Sequence, residues 1–188
     1  MRADIDGLLV SIEDGAERTG AIVNSLKTFA RTDTVALNKM NVHQNIDSTL
    51  ILLKNQLRDH ITIHKIYDPN LPDIESYNGQ VNQVIMNLLT NAIQAIEEKG
   101  EITITTECLK HAQAIKIVIT DTGKGIPEAD QSHIFEPFFT TKEVGKGTGL
   151  GLSISYGIIQ KHQGTIEVDS REGEGTTFRI VMPLTQDV

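Results

Sequence analysis

Four glycines alternate with other residues in the stretch GKGTGLGLSIS, positions 145–155, and apolar residues at helical spacing follow them. Because glycine has no Cβ, successive backbone N–H groups can approach a ligand closely and point together at an anion. A helix that begins behind them adds the positive end of its dipole. The stretch therefore predicts a phosphate site built from the amides of Gly145, Gly147, Gly149 and Gly151, although a flexible linker is the alternative.

A carboxylate followed by two glycines forms a second candidate, in the segment DTGKGIP. Asp121 ends a predicted strand, where its carboxylate could accept a hydrogen bond from an exocyclic amine. Gly123 and Gly125 would let a flat ring lie close to the backbone. A simple turn is an equally good interpretation of this segment taken alone.

Amide side chains line one face of a predicted helix over residues 78–98. Asn87, Asn91 and Gln94 have the spacing i, i+4 and i+7, opposite a stripe of Val, Ile and Leu. Amide oxygens are hard, neutral ligands that suit a Mg²⁺ ion bridging to phosphates. The alternative is an ordinary solvated helix face.

Three phenylalanines occur in the segment IFEPFFTTK, residues 134–142, within a predicted loop. Aromatic rings are costly to expose, so we expect all three to pack on other residues. The ammonium of Lys142 and the hydroxyls of Thr140 and Thr141 could contact a terminal phosphate.

The elements that would position these segments alternate between helical and strand periodicity. We expect Gly100 to end the helix over 78–98, and residues 122–149 to form no regular element. This mixture, which ends on a hairpin, predicts a two-layer α/β sandwich. The other predicted helices cover 43–58 and a span from the glycines to about 162, and the predicted strands cover 61–67, 101–108, 114–121, 165–170 and 176–184.

Residues 2–31 predict a separate helix with a broad apolar face. Ile5, Ile12, Thr19 and Leu26 recur every seven residues, as in a helical bundle. One such helix cannot bury its apolar face alone, so it needs a partner, either a second chain or another segment of a longer protein, and we expect a homodimer. We therefore divide the chain into residues 1–33 and a main domain over 34–188.

Composition excludes several classes of function. A formal net charge of −8 argues against nucleic-acid binding. No apolar run is long enough to span a membrane, so any membrane attachment would come from other parts of a longer protein. The single cysteine excludes an internal disulfide. It fits a cytoplasmic location, or the cytoplasmic face of the inner membrane if the chain is part of a membrane-anchored protein. His60 and His64 lie in a strand pattern, which argues against a metal site there.

The four segments together resemble the catalytic and ATP-binding domain of bacterial sensor histidine kinases of the nitrogen-regulation type. NQVIMNLLTNAIQA is similar to the N box, DTGKGIP to the G1 box, IFEPFFTTK to the F box and GKGTGLGLSIS to the G2 box. The resemblance covers about residues 38–184 and includes the wider group with DNA gyrase and MutL. It implies an α+β Bergerat-type fold, with a mixed sheet and helices on one face, for an ATP-binding catalytic domain over 34–188. Residues 1–33 would then be part of the second helix of the helical hairpin that forms the dimerisation and phosphoacceptor domain.

The resemblance also implies roles for the matched positions. Asp121 would bind the adenine amino group, Asn91 would hold Mg²⁺, and a lid from Phe135 to Thr148 would cover the triphosphate. The implied catalytic residues are Asn87, Asn91 and Lys142. The implied ATP-binding residues are Asn87, Asn91, Gln94, Asp121, Gly123, Gly125, Ile126, Phe135, Thr140, Thr141, Lys142, Gly145, Lys146, Gly147, Thr148, Gly149, Leu150 and Gly151.

The histidine that accepts phosphate in this family is not recognisable in the chain. Members carry it on the first helix of the dimerisation domain, usually before Glu or Asp. The six histidines here precede Gln, Ile, Lys, Ala, Ile and Gln, and none lies within 2–31. We therefore expect the acceptor on another segment or protein, with a histidine-bearing dimerisation domain and a response regulator receiver domain as partners.

Three other functions stay open on the sequence alone: an ATP hydrolase of the gyrase or MutL type, a serine kinase acting on a partner, and a non-catalytic nucleotide switch. Hydrolases of this group carry a glutamate at the start of the N box to activate water. The chain has Asn87 there, whose neutral amide cannot take a proton. The sequence therefore favours a kinase over a hydrolase.

Overall fold

The computed structural model describes residues 36–57, 60–142 and 147–186. The predicted helix over 2–31 lies outside this range. Among the described helices, none combines the length and apolar composition that crossing a bilayer requires. In chain order the elements are β1 (Asn38–Met40), α1 (Val42–Leu57), β2 (Ile61–Ile66), β3 (Ile74–Ser76), α2 (Asn78–Ala95), β4 (Gly100–Leu109), a 3-10 turn (Lys110–Ala112), β5 (Ala114–Asp121), α3 (Glu128–Gln131), α4 (Gly151–Lys161), β6 (Thr165–Arg171) and β7 (Gly175–Pro183).

The main sheet has five strands in the order β2-β4-β5-β7-β6. β2 and β4 are parallel, whereas every other neighbouring pair is antiparallel, so the sheet is mixed as expected. In the central strand β5, residues alternate between buried and half-buried, because successive side chains point to opposite faces. Asp121 ends this strand, opposite Ile102 on one side and Thr176 on the other.

Three helices cover the sheet. Helix α2 contacts β5 and β7, helix α4 contacts β6, and both α1 and α4 contact α2. Burial of each large aliphatic side chain in this layer contributes about 1.5–3 kcal/mol. The predicted two-layer sandwich is therefore confirmed. The fully buried residues between the layers include Val84, Ile85, Leu88, Leu89, Ile102, Ile104, Ile115, Ile117, Ile159 and Ile180.

The end of α2 and several short elements differ from the sequence prediction. Helix α2 ends at Ala95, because Ile96 turns to an extended conformation and buries its side chain. Gly100 therefore does not end the helix but begins β4, where it pairs with Ile61. The stretch 122–149 contains the four-residue helix α3, and β1 and β3 have three residues each. Elements this short show no periodicity.

A buried histidine joins the C-terminal end of α4 to the N-terminal end of α2. His162 has no exposed surface, and its Nε2 accepts a hydrogen bond from the backbone N–H of Tyr77 at 3.1 Å. Its Nδ1 donates to the carbonyl of Ile158 at 2.8 Å. A neutral imidazole satisfies both bonds, whereas a protonated ring would lose its acceptor. Burial accordingly lowers the pKa of His162.

Stability should therefore fall as the pH drops below about 6.5, the ordinary pKa of histidine. Below that pH, His162 is protonated in the unfolded chain but stays neutral in the folded protein. This difference persists until the pH reaches the lower pKa of His162 in the folded state. The loss is at most about 1.4 kcal/mol per pH unit. Denaturant unfolding at pH 5.5 and at pH 7.5 measures the difference in the free energy of unfolding. His162→Gln should reduce this pH dependence, leaving that of His43, whose pKa burial also lowers. If the native protein and His162→Gln lost equal stability on acidification, His162 would not be the source of the pH dependence.

Candidate functional site

A buried carboxylate stands at the end of the central strand. Asp121 is only 5% exposed, and its Oδ1 accepts a hydrogen bond from the backbone N–H of Gly123 at 2.8 Å. Burial raises the pKa of Asp121, and the amides of Gly123 and Thr176 partly oppose this shift. The carboxylate therefore remains a strong acceptor in a low-dielectric position, as recognition of an amine requires.

The loop after Asp121 is packed against α2 and the β6–β7 hairpin. The N–H of Lys124 donates to the carbonyl of Ala95 at 3.0 Å. A Cβ on Gly123 would lie 2.6 Å from the Cβ of Ala95. Besides the predicted room for a flat ring, the close approach of this loop to α2 requires glycine at position 123. Gly125 likewise lies against the backbone of Arg171.

Serine and threonine hydroxyls support this loop from the hairpin. Ser170 Oγ accepts from the N–H of Ile126 at 2.8 Å and lies 2.9 Å from Thr176 Oγ1. Gln131 of α3 donates to the carbonyls of Ile126 and Ser170. Sequence reasoning missed Ser170, Thr176 and Gln131, because their contacts cross between segments and follow no periodic pattern.

The three amide side chains of α2 contact two different partners, the helix α4 and the side chain of Lys142. Asn87 Nδ2 donates to the carbonyl of Gly151 at 3.0 Å and to Ser155 Oγ at 3.2 Å, so it binds α4 directly. Asn91 Oδ1 instead accepts from Lys142 Nζ at 3.1 Å, and Gln94 Oε1 accepts from the same ammonium. Asn91 and Gln94 thus direct their oxygens at one cation, whereas Asn87 does not.

The surroundings of Lys142 disfavour its charge. Burial lowers the pKa of Lys142, and the positive charge of Lys124 adds to the shift. The backbone N–H of Lys142 donates to Thr140 Oγ1 at 3.2 Å, which orders the chain on its N-terminal side. The neighbouring hydroxyl-bearing residue, Thr141, is exposed. A phosphate could therefore replace the two amide oxygens as the partner of this ammonium.

The phenylalanines of the segment 134–142 do not all pack. Phe135 lies 5.4 Å from the ring of Tyr156, and Phe139 lies 6.1 Å from the ring of His133. Phe138, however, is 64% exposed, so the expectation of three packed rings is wrong at this position. The backbone of Phe138 has a φ of 70° and donates its N–H to the carbonyl of Gly149 at 2.8 Å. This pairing fixes the backbone without burying the ring.

The described part of the glycine stretch leads directly into α4, which begins at Gly151. Leu150 is buried, and its N–H lies 3.4 Å from Thr148 Oγ1. Gly149 has a φ of +66°, and a Cβ there would lie 2.3 Å from the carbonyl carbon of Phe138. Gly147 lies close to the side chains of Thr140 and Lys142. Gly145 and Lys146 lie outside the described residues.

Curated relatives of this chain are sensor kinases. Sensor kinase CckA of Brucella abortus (strain 2308) is 37% identical over 188 residues, 93% of this chain and 20% of that protein. Sensor histidine kinase ZraS of Escherichia coli (strain K12) is 35% identical over 170 residues, 90% and 36% of the two chains. Sensory histidine kinase/phosphatase NtrB of Rhizobium leguminosarum bv. phaseoli is 32% identical, covering 93% and 48%. The chain thus spans less than half the length of each relative.

Solved structures of histidine kinases share the fold. The catalytic domain of histidine kinase ThkA superimposes with a TM-score of 0.72 at 34% identity, covering 80% of this chain and 97% of that chain. Histidine kinase ThkA in complex with the response regulator protein TrrA gives a TM-score of 0.75 at 29% identity, covering 93% and 49%. These similarities confirm the resemblance to histidine kinase catalytic domains.

A family model matches residues 77–186, from the residue before α2 to the end of the described chain. The match includes Asn91, Asp121, Lys142 and Gly149 and covers more than half of the protein. Since the sequence match, the mixed sheet and the order of the boxes all agree, the chain belongs to the histidine kinase-, DNA gyrase B- and HSP90-like ATPase family.

Proposed function

We propose that the chain binds ATP with Mg²⁺ between α2 and the glycine stretch and transfers the γ-phosphoryl group to a histidine that it does not itself contain. The observation that carries this proposal is that α2 is hydrogen-bonded both to the start of α4 and to the loop after Asp121. Asn87 binds the start of α4, and the carbonyl of Ala95 binds the loop after Asp121. These contacts connect the amide-bearing helix to both the glycine stretch and the loop of the carboxylate, which supports a nucleotide site between them.

The residues present fit a divalent cation. Asn91 Oδ1 and Gln94 Oε1 already direct their oxygens at one positive charge, the ammonium of Lys142. In the proposed complex Asn91 would hold Mg²⁺, which neutralises phosphate charge when bound. Lys142 would then turn to the terminal phosphate, and Asp121 would accept from the adenine amino group. Phosphoryl transfer needs this positioning more than it needs covalent chemistry from the protein.

The contacts of Asn87 support a kinase over a water-activating hydrolase. Its Nδ2 donates to two groups of α4, and an amide has no basic site for removing a proton. The nucleophile is therefore proposed to be a neutral imidazole from a dimerisation domain. A response regulator would be the later recipient, as the complex of ThkA with TrrA suggests. Homodimerisation through residues 2–31 and a lid over Phe135–Thr148 belong to the same proposal.

The test mixes the full chain with a separate histidine-bearing dimerisation domain from a related kinase and γ-labelled ATP. We expect label on the added domain that is lost in acid and stable in base, as phosphohistidine requires. The same domain with its histidine replaced by alanine is the control. Steady phosphate release on the order of one per second without transfer would instead indicate a hydrolase. Acid-stable label on serine would indicate a serine kinase.

Lys142→Met should weaken ATP binding about tenfold while changing ADP binding less than about threefold. The lost ammonium is proposed to contact the terminal phosphate, which ADP lacks. Calorimetric titration of both nucleotides measures the difference. Lys124→Met is the matched control, because it removes a nearby positive charge without breaking a hydrogen bond to α2. Equal losses for ATP and ADP in Lys142→Met would contradict this role.

A further inference from the structure

One serine of α4 contacts α2 in a way that the proposed roles do not explain. Ser155 has no exposed surface and lies one helical turn after Gly151. Its Oγ donates to the carbonyl of Gly151 at 2.8 Å. A serine that bonds the carbonyl four residues earlier is common in helices. Here the same oxygen also lies 3.2 Å from Nδ2 of Asn87 on the neighbouring helix.

The number of available protons limits the directions of these hydrogen bonds. A serine hydroxyl has a single hydrogen, and Ser155 uses it on the carbonyl of Gly151. While the hydrogen is on that carbonyl, the hydroxyl can only accept from Asn87. The carbonyl of Gly151, 3.0 Å from the same Nδ2, also can only accept. Helix α4 thus presents two acceptors to Asn87, and the amide can satisfy both only with its NH₂ group.

We infer that Ser155 is a positioning residue, which holds the Asn87 amide with its NH₂ group on the two acceptors of α4 and so leaves Oδ1 for the nucleotide. In this half-buried contact, a reversed amide would place Oδ1 against the carbonyl of Gly151 and would make Ser155 give up its hydrogen bond within α4 to donate to Oδ1. Within the described part of the chain, no residue donates to Asn87 Oδ1. Asn91 follows one turn later on the same helix face, so two amide oxygens are offered side by side.

This arrangement also restricts the residue type at position 87. A carboxylate would place negative charge against the Gly151 carbonyl, which can only accept. The contact therefore selects an amide over the glutamate that a water-activating enzyme of the family would need. The consequence for ATP rests on the proposed function, whereas the orientation of the amide does not.

The experiment compares Ser155→Ala with Ser153→Ala. Ser153 is the matched control, because its Oγ donates to the carbonyl of Leu150 at 3.0 Å within α4. The side-chain ¹⁵N–H₂ signals of Asn87 are followed in the full chain without nucleotide. Ser155→Ala should shift these signals and accelerate hydrogen exchange at least about threefold, while Ser153→Ala leaves them unchanged. Unchanged signals in Ser155→Ala would overturn the inference.

Nucleotide binding supplies the second measurement. Ser155→Ala should lower the affinity for Mg·ATP about threefold to tenfold, and this effect should disappear in an Asn87→Ala background. An equal effect in both backgrounds would overturn the inference, because Ser155 would then act independently of Asn87. If the native chain bound no nucleotide, the proposed function would fail while the NMR result still decided the orientation. Ser155→Cys, with its weaker hydrogen bonds, replaces Ser155→Ala if alanine prevents folding.

Discussion

Replacing Gly149 by valine is expected to lower the affinity for Mg·ATP by about 100-fold or more. The φ of +66° is strongly unfavourable for a β-branched residue. A Cβ would also lie 2.3 Å from the carbonyl carbon and 2.5 Å from the oxygen of Phe138. Since these are backbone atoms, the clash separates the two segments and breaks the hydrogen bond from Phe138 to Gly149. Fluorescent-nucleotide displacement measures the loss.

A valine side chain at position 149 would also hinder the close approach of a phosphate to the backbone amides predicted to bind it. The structure gives a nearer cause, the backbone of Phe138. We still expect the fold to be largely retained, because Gly149 lies outside the core between α2 and the sheet. Gly173→Val is the matched control, since its φ is +81° and nothing lies within 4 Å of a Cβ there. If Gly173→Val reduced binding as strongly, backbone strain in general, rather than this clash, would be responsible.

Asp121→Asn is expected to weaken ATP binding by about 1–3 kcal/mol, roughly 10-fold to 100-fold. Asparagine can still accept from the N–H of Gly123 through its oxygen. It then turns an NH₂ group toward the adenine amine, so that two donors face each other. Calorimetric titration with ATP measures the change. The fold should not be weakened, because burial already disfavours the carboxylate and raises the pKa of Asp121.

Inosine triphosphate provides a sharper test of the same contact. Its ring carries an oxygen where adenine carries the amine, so the new NH₂ group of Asp121→Asn could donate to it. We expect the preference for ATP over inosine triphosphate to fall at least about tenfold in the variant. An unchanged preference would show that Asp121 does not contact that edge of the base.

Much of the fold was predictable from sequence because long elements repeat their pattern. The stripe Val81, Val84, Ile85, Leu88 has the helical period, and the alternation in residues 114–121 has the period of a strand. The end of α2 was predicted wrongly, since glycine commonly ends helices. Here the need to bury Ile96 stops the helix earlier.

The composition of the candidate site was predictable, but its connections were not. The boxes identify Asn87, Asn91 and Lys142, whereas nothing local indicates that Lys142 binds Asn91 from 51 residues away. Asn87 shares a helix face with Asn91, but it donates a hydrogen bond to α4 and does not contact the ammonium of Lys142. Such pairings arise when the helices pack, so a linear pattern does not contain them.

Isothermal titration of Mg·ATP into the purified chain tests the central claim most directly. The account predicts saturable heat with a stoichiometry of one nucleotide per chain, together with NMR shifts at the backbone amides of Gly123 and Gly149. Absence of both heat and shifts up to millimolar nucleotide would contradict binding between α2 and the glycine stretch.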